Sequence, residues 1–396
     1  MNLNETPRSN RLHIGIFGKR NSGKSTLINA LTGQTTSLVS EIAGTTTDPV
    51  YKTIEIHGIG PCVLIDTAGF DDAGYLGAMR VDKTRTAMEK TDIALILFTD
   101  ENVAMELEWF NELRKRNTPV IPLINKIDLL QDLNPIRRKI KDICKVEPIC
   151  ISAQEKIGIE LIREAILRKL PEDYDGRDIT GKLVQEDDLV LLVMPQDIQA
   201  PKGRLILPQV QTIRELLDKK CIVISCTADK LPQALATLSK PPKLIITDSQ
   251  VFPLVNQAKP KESLLTSFSV LFAALKGDID YFIKSAAMID RLTINSKVLI
   301  AEACTHVPLQ EDIGTVKIPR LLREKIGEGL TIINMHGNDF PEDLTNYDLI
   351  IQCGSCMFNR KFVLNRVAKA KKQQVPMTNY GIALAHLSGI LDKIST

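Results

Sequence analysis

The sequence is short of the features that label a protein at a glance. Aromatic residues are 5% of its 396 residues, and its net charge is only +2. A balance so close to neutral creates no field that would gather nucleic acid or an anionic bilayer. RNA-binding faces also need basic patches with interleaved aromatics, and no such patch is visible. No apolar run reaches the roughly 18 residues of a membrane-crossing helix. The opening MNLNETPRSN holds no apolar stretch of signal-peptide type. Low-complexity segments are absent too. These absences point to a cytoplasmic protein with neither nucleic acid nor membrane as partner.

What is present is an ordinary globular composition, 44% hydrophobic and 25% charged, and enough length for two or three domains. From Leu12 to Leu170, β-branched runs alternate with helical patterns; the runs include Ile14–Phe17, Val63–Ile65, Ile93–Phe98, Val120–Ile124 and Ile149–Ile151. Near-continuous apolar strands separated by amphipathic helices predict a mostly parallel sheet covered on both faces. The expected fold class is α/β, with a first domain over residues 1–171 and a polar linker at 172–182. Two smaller α/β domains follow, at 183–262 and 263–396, with the stretch from Pro253 to Pro260 marking the border between them.

Gly18-Lys19-Arg20-Asn21-Ser22-Gly23-Lys24-Ser25 fits G-x-x-x-x-G-K-S/T, after a strand and opening a helix. Its glycines let backbone N–H groups wrap phosphates at a helix N-terminus. Lys24 is expected to reach the β- and γ-phosphates and Ser25 to bind Mg²⁺, with Ser22, Gly23 and Thr26 completing the cradle. Asp66-Thr67-Ala68-Gly69 ends a second strand: Asp66 would hold Mg²⁺ and Gly69 would offer its N–H to the γ-phosphate. Asn125-Lys126-Ile127-Asp128 ends a third, and Ser152-Ala153 follows a fourth. A carboxylate at Asp128 accepts from N1–H and N2–H₂ of guanine, which adenine cannot supply, so discrimination is large. Motifs of this kind, in this order, each at the carboxyl end of a strand, predict a P-loop GTPase domain and GTP rather than ATP.

The set resembles the translation-factor-like GTPases, especially the Era and TrmE relatives. That resemblance implies a switch I at Gly44-Thr45-Thr46-Thr47-Asp48, with Thr46 on Mg²⁺ and Thr47 where an arginine is usual. It also implies that Asn21 holds a K⁺ ion, whose charge would do the work of an arginine finger. Phe70 stands where Ras-type GTPases place a water-orienting glutamine. Intrinsic hydrolysis is therefore expected to be slow, a switch with the loop 71–80 as its moving part.

Of eight cysteines, Cys62, Cys144, Cys150, Cys221 and Cys226 lie in or beside apolar runs and read as inert thiols. Cys304-Thr305-His306 and Cys353-Gly354-Ser355-Cys356 instead follow strands, where α/β folds place binding loops. Three thiolates and an imidazole suit a structural zinc site or an iron–sulfur cluster, and three unrelated thiols are a further reading.

A GTPase domain followed by C-x-H … C-x-x-C resembles the FeFe-hydrogenase maturation GTPase family, HydF, over nearly the whole chain. The resemblance implies a GTP-hydrolysing scaffold that holds a 4Fe-4S cluster on Cys304, Cys353 and Cys356 and delivers a di-iron precursor. Its implied partners are apo FeFe-hydrogenase and the radical-SAM maturases of that pathway, and it implies a homodimer through the middle domain. The family's histidine before C-x-x-C is Gln352 here, a poor iron ligand. His306 remains for the fourth position, with Glu311, Asp312 and His336 as weaker candidates. The alternatives left open are an Era/TrmE-like GTPase of RNA modification or ribosome assembly, and a GTPase with a structural zinc domain. Arg360, Lys361, Arg366, Lys369, Lys371 and Lys372 follow the loop and are expected on a solvated helix face.

Overall fold

The structure is a computed structural model, and it describes residues 7–32, 50–56, 59–67, 83–170, 174, 178–195, 205–303, 312–337 and 339–396. The chain divides into two compact units, Met1–Tyr174 and Asp175–Thr396.

In the first unit, β1 (Leu12–Gly18) leads to α1 (Lys24–Thr32), then β2 (Val50–Ile56), β3 (Gly60–Asp66) and β4 (Ile93–Phe98). α2 (Ala104–Lys115), β5 (Val120–Ile124), α3 (Asn134–Cys144), β6 (Ile149–Cys150) and α4 (Ile159–Arg168) follow. The sheet runs β2-β3-β1-β4-β5-β6. All its pairings are parallel except the antiparallel β2–β3. β1, β4 and β5 are buried at every position, because their runs LHIGIFG, IALILF and VIPLI leave no polar face to turn outward. Helices must then cover both sides. Leu27, Ile28, Ile162 and Ile166 pack one face; Trp109, Phe110, Leu113, Ile136 and Ile140 pack the other. Ile136, Ile140 and Cys144 recur at four-residue spacing, which puts them on one stripe of α3. Each fully buried Leu or Ile contributes about 1.5–3 kcal/mol.

β2 is a strand that the apolar runs do not announce. It is an edge strand in which only Ile54 and Ile56 are buried.

The second unit holds two all-parallel, four-stranded sheets. The first, ordered β10-β9-β7-β8, uses β7 (Leu189–Val193), β8 (Ile222–Cys226), β9 (Leu244–Thr247) and β10 (Leu264–Ser267). Its helices are α5 (Leu207–Asp218), α6 (Leu231–Ala236), α7 (Phe252–Ala258) and α8 (Phe268–Lys276). After α9 (Ile279–Ala286), the other sheet, β12-β11-β13-β14, uses β11 (Lys297–Glu302), β12 (Thr331–His336), β13 (Leu349–Gln352) and β14 (Met377–Asn379). α10 (Ile318–Ile326) joins β11 to β12, α11 (Arg360–Lys372) joins β13 to β14, and α12 (Tyr380–Leu387) follows.

Two sequence expectations fail here. The stretch from Pro253 to Pro260 is no border, because Phe252–Ala258 forms α7, with its proline in the first turn where no N–H is needed. The expected break at 262/263 also falls too early, since β10 pairs with β9 and completes the first sheet. The two sheets share one core, in which Leu191, Ile245 and Phe252 join Leu299, Ile350 and Val367. Among the described residues, no helix is long and apolar enough to cross a membrane.

Candidate nucleotide site and cysteine site

The loop after β1 needs backbone conformations that few residues adopt. Asn21 has φ +58° and Gly23 φ +92°. A Cβ on Gly23 would collide with the Asn125 side-chain amide. Asn125, 1% exposed, ties two loops together: its Nδ2 donates to the Ser22 carbonyl (2.8 Å) and its Oδ1 accepts from the Ala153 N–H (3.0 Å). The phosphate loop and the base loop after β6 are thus spaced by one buried amide.

Lys24 is buried, and its Nζ donates to the Gly18 (3.0 Å) and Lys19 (2.8 Å) carbonyls. The Ser25 hydroxyl donates to Asp66 Oδ2 at 2.9 Å, so a hydroxyl and a carboxylate converge from α1 and β3. Two such oxygens suit a hard divalent cation. Burial pushes the Asp66 carboxyl up, opposed by Ser25, Lys24 and Lys52. Lys126, at φ +62°, turns the chain after β5, and Asp128 is exposed. Ser152 is fully buried and its Oγ accepts from the Glu155 N–H at 3.1 Å. Thr26 is half-buried at the start of α1. Thr46 with its 44–48 segment, Ala68, Gly69, Phe70 and 71–80 lie outside the described residues.

The motif reading missed Lys19 and its partners. Lys19 Nζ pairs with Asp100 (3.1 Å) and Glu106 (3.4 Å) and donates to the Asn102 carbonyl. Glu106 is 1% exposed, and burial pushes its carboxyl up. A signal existed: Glu106 shares the apolar stripe of Trp109, Phe110 and Leu113, and an acid on such a stripe has a partner to meet.

In the second unit, β11 and β13 are parallel neighbours, with Ala301 opposite Gln352. β12 and β13 lie on opposite sides of β11, so the chain reverses its direction of travel across the sheet there. Crevices at such points, outside the carboxyl ends of the strands, are where α/β sheets bind ligands. The Cys353 Sγ accepts the Ala303 N–H at 3.1 Å, which joins the C-x-x-C loop to the residue just before Cys304. Ser355 turns the loop at φ +47° and holds its Oγ 3.8 Å from Cys353 Sγ. Gln352, 1% exposed, donates from Nε2 to Ser355 Oγ at 3.1 Å. It braces the loop from below.

The weaker candidate ligands have other work. Asp312 Oδ1 accepts from the Gly314 (2.9 Å) and Thr315 (2.7 Å) N–H groups as a helix cap. His336 Nδ1 meets Glu302 Oε2 at 2.8 Å, and the Tyr380 hydroxyl donates to Glu302 Oε1 at 2.8 Å. Burial pushes up both the Glu302 carboxyl and the Tyr380 hydroxyl. Cys304, His306 and Glu311 lie outside the described residues. Among the described residues, no three of His, Cys, Asp and Glu converge as a metal site.

Arg366 corrects the expectation of a solvated basic face. It is 4% exposed, its guanidinium lies 4.7 Å from the Phe340 ring centre and 4.4 Å from that of Phe362, and it donates to the Gly337 carbonyl (2.8 Å). Among the thiols expected to be inert, burial pushes Cys62 up to about 12 and Cys144 up to about 11.

Comparison with known proteins bears on both units. Residues 179–277 match the hydrogen maturase F dimerization domain, and residues 280–395 match the hydrogen maturase F tetramerization domain. The chain belongs to the hydrogen maturase F family. Residues 13–126 match a GTPase family described as 50S ribosome-binding GTPase, so the HydF segments follow a GTPase domain, for which GTP and Mg²⁺ are the implied ligands. The chain is 32% identical over 203 residues to GTPase Der of Wolinella succinogenes, covering 46% of this chain and 41% of that protein. It is also 32% identical over 186 residues to the tRNA modification GTPase MnmE of Leptospira interrogans, covering 46% of this chain and 38% of that one. It therefore spans about two-fifths of the length of these curated relatives. A crystal structure of Aquifex aeolicus Era bound to GDP·AlF4⁻ is matched at 21% identity and a TM-score of 0.36, over 64% of this chain and 99% of that one.

Proposed function

We propose that this hydrogenase-maturation GTPase holds a 4Fe-4S cluster on Cys304, Cys353 and Cys356 and carries a di-iron precursor to apo FeFe-hydrogenase under control of its GTP state. The observation that carries the reading is the hydrogen bond from the Ala303 N–H to Cys353 Sγ. It brings the chain entering Cys304 against the C-x-x-C loop at the reversal point of the sheet.

The donor set fits such a cluster. Cys353 already accepts a backbone N–H, the kind of contact that stabilises a metal-bound thiolate. Among the described residues, nothing lies within 4 Å of where a Cβ on Gly354 would stand. When bound, an iron–sulfur cluster supplies an iron that three protein thiolates leave open to an exchangeable ligand. Gln352 shapes the loop by donating from Nε2 to Ser355 Oγ, while its buried Oε1 has no hydrogen-bond partner among the described residues.

In the GTPase domain, Lys24, now bonded to the Gly18 and Lys19 carbonyls, would hold the β- and γ-phosphates, and Ser25 with Asp66 would hold Mg²⁺, which would neutralise phosphate charge. Asp128 reads guanine, and Asn125 holds the phosphate and base loops in register. Hydrolysis is slow and K⁺-activated, with Asn21 on the ion, Thr46 on Mg²⁺, and no water-orienting glutamine at Phe70. The matched dimerization and tetramerization segments support a homo-oligomer, with residues 179–277 as its dimer contact. The radical-SAM maturases of the same pathway are its further partners.

Anaerobic reconstitution with ferrous iron and sulfide tests the proposal. It predicts about four irons per chain and a cluster EPR signal after reduction; one zinc per chain with no such signal contradicts it. Hydrolysis rates in K⁺ and Na⁺ test Asn21, where equal rates rule out the potassium role.

A further inference from the structure

Beneath the C-x-x-C loop lies a buried cation with no part in the mechanism so far. Lys276 ends α8, the last helix of the first sheet in the second unit, and is 3% exposed. Its ammonium donates to the carbonyls of Ser355 (3.1 Å), Cys356 (3.2 Å) and Phe358 (2.9 Å). The carbonyl of its neighbour Leu275 accepts from Arg360 Nε at 3.0 Å, in the first turn of α11. The end of α8 is therefore bonded both to the loop and to the helix that follows it. Lys276 lies in the segment matched as the dimerization domain, and its acceptors lie in the segment matched as the tetramerization domain.

Backbone carbonyls ask only for N–H donors, and neutral amides or water supply those elsewhere in proteins. An ammonium adds a full positive charge to a place where charges are costly to bury. That choice has a chemical use when the loop carries negative charge. Thiolates bound to a cluster leave it net anionic, and adding an electron increases the negative charge. Nearby charge and hydrogen bonds are the means by which a protein sets a cluster's reduction potential.

We infer that Lys276 is a positioning residue for the cluster loop: it fixes the carbonyls of residues 355–358 and sets a positive charge against the cluster, favouring the reduced form. The inference rests on the reading of the cysteines under Proposed function. It also makes the site depend on α8, so that a shift of that helix is felt at Cys356.

The test uses the full chain, reconstituted anaerobically with ferrous iron and sulfide, and an EPR-monitored redox titration with dithionite as electron donor. Lys276→Gln keeps amide donors and loses the charge; Lys276→Arg keeps the charge. Lys276→Gln is expected to disfavour reduction about tenfold, a potential lower by about 59 mV for one electron. Lys276→Arg is expected to stay close to wild type, with unchanged iron content in both. An unshifted potential in Lys276→Gln overturns the inference. So do equal shifts in the two variants, which would mark Lys276 as a packing group. If Lys276→Gln does not fold, Lys276→Met reads the same potential, and failure of both to fold places Lys276 in the core and ends the inference. A wild-type chain that takes up no cluster removes the reading of the cysteines itself, a failure seen without any substitution.

Discussion

The nucleotide site and the cysteine site both lie where parallel strands end, but they are held in opposite ways. At the first, the loop is held mainly by its own residues and the strand ends beside it. Lys24 bonds to carbonyls five and six residues back, and Asn125 reaches the loop from the end of β5 in the same sheet. At the second, the support is imported. Lys276 comes from a helix of the other sheet, some eighty residues earlier, and Ala303 comes from the end of β11. The first site is thus set by one loop and one sheet. The second exists only where the two sheets of its unit are packed on their common core.

The substitution with the largest expected effect separates the two directly. Lys24→Ala lowers kcat/KM for GTP by about 10²–10³-fold, the scale seen when a charge-stabilising donor is removed. Iron uptake by the second unit is the companion measurement; parallel loss of both would erase the contrast.

In the first unit, acid acts through a buried histidine. His13 lies in β1 with its Nδ1 2.9 Å from the Arg11 carbonyl and 3.7 Å from Asp92. Burial, with the nearby charges of Lys90, Arg11 and Arg8, outweighs the Arg11 carbonyl and holds its pKa down at about 4, against 6.5 unperturbed. The unfolded chain takes up a proton that the folded one refuses, so stability is full above pH 6.5 and falls as the pH drops toward about 4. The loss amounts to about 3 kcal/mol. Urea unfolding across that range should show the slope, and His13→Gln should flatten it.

A smaller effect is expected at the staple between the loops. Asn125→Ala leaves the Ser22 carbonyl and the Ala153 N–H without their partner, at about 1–2 kcal/mol. GTP affinity should fall roughly tenfold, read by calorimetry, with the cluster signal unchanged. Smallest is Glu106→Gln, which weakens the hold on Lys19. It should raise KM for GTP about three- to tenfold at constant kcat, the pattern of lost uniform binding. A fall in kcat instead would place Glu106 closer to the chemistry than its geometry implies.

The difference in support explains what could be read from the sequence. The phosphate loop is written in consecutive residues, and the strands feeding it are apolar at nearly every position, so both were legible. β2 was not, because an edge strand buries little, here Ile54 and Ile56. C-x-x-C was visible as a motif, but its support was hidden. A lysine closing α8 looks solvated until the fold carries Ser355, Cys356 and Phe358 over it. Arg366 misled for the same reason: a cation on a basic helix reads as exposed, and only the packing of Phe340 and Phe362 buries it. The border expected near Pro253–Pro260 failed because a proline in the first turn of a helix looks, in sequence, like a proline in a linker.

The account turns on the cysteines, and one pair of spectra tests it most directly. Wild-type and Cys353→Ala chains, both shown to be folded by thermal unfolding, are reconstituted anaerobically, reduced and compared by EPR and iron content. The account predicts a cluster signal in wild type and its loss, with most of the iron, in Cys353→Ala. A zinc-filled wild type without the signal, unchanged by the substitution, would contradict it.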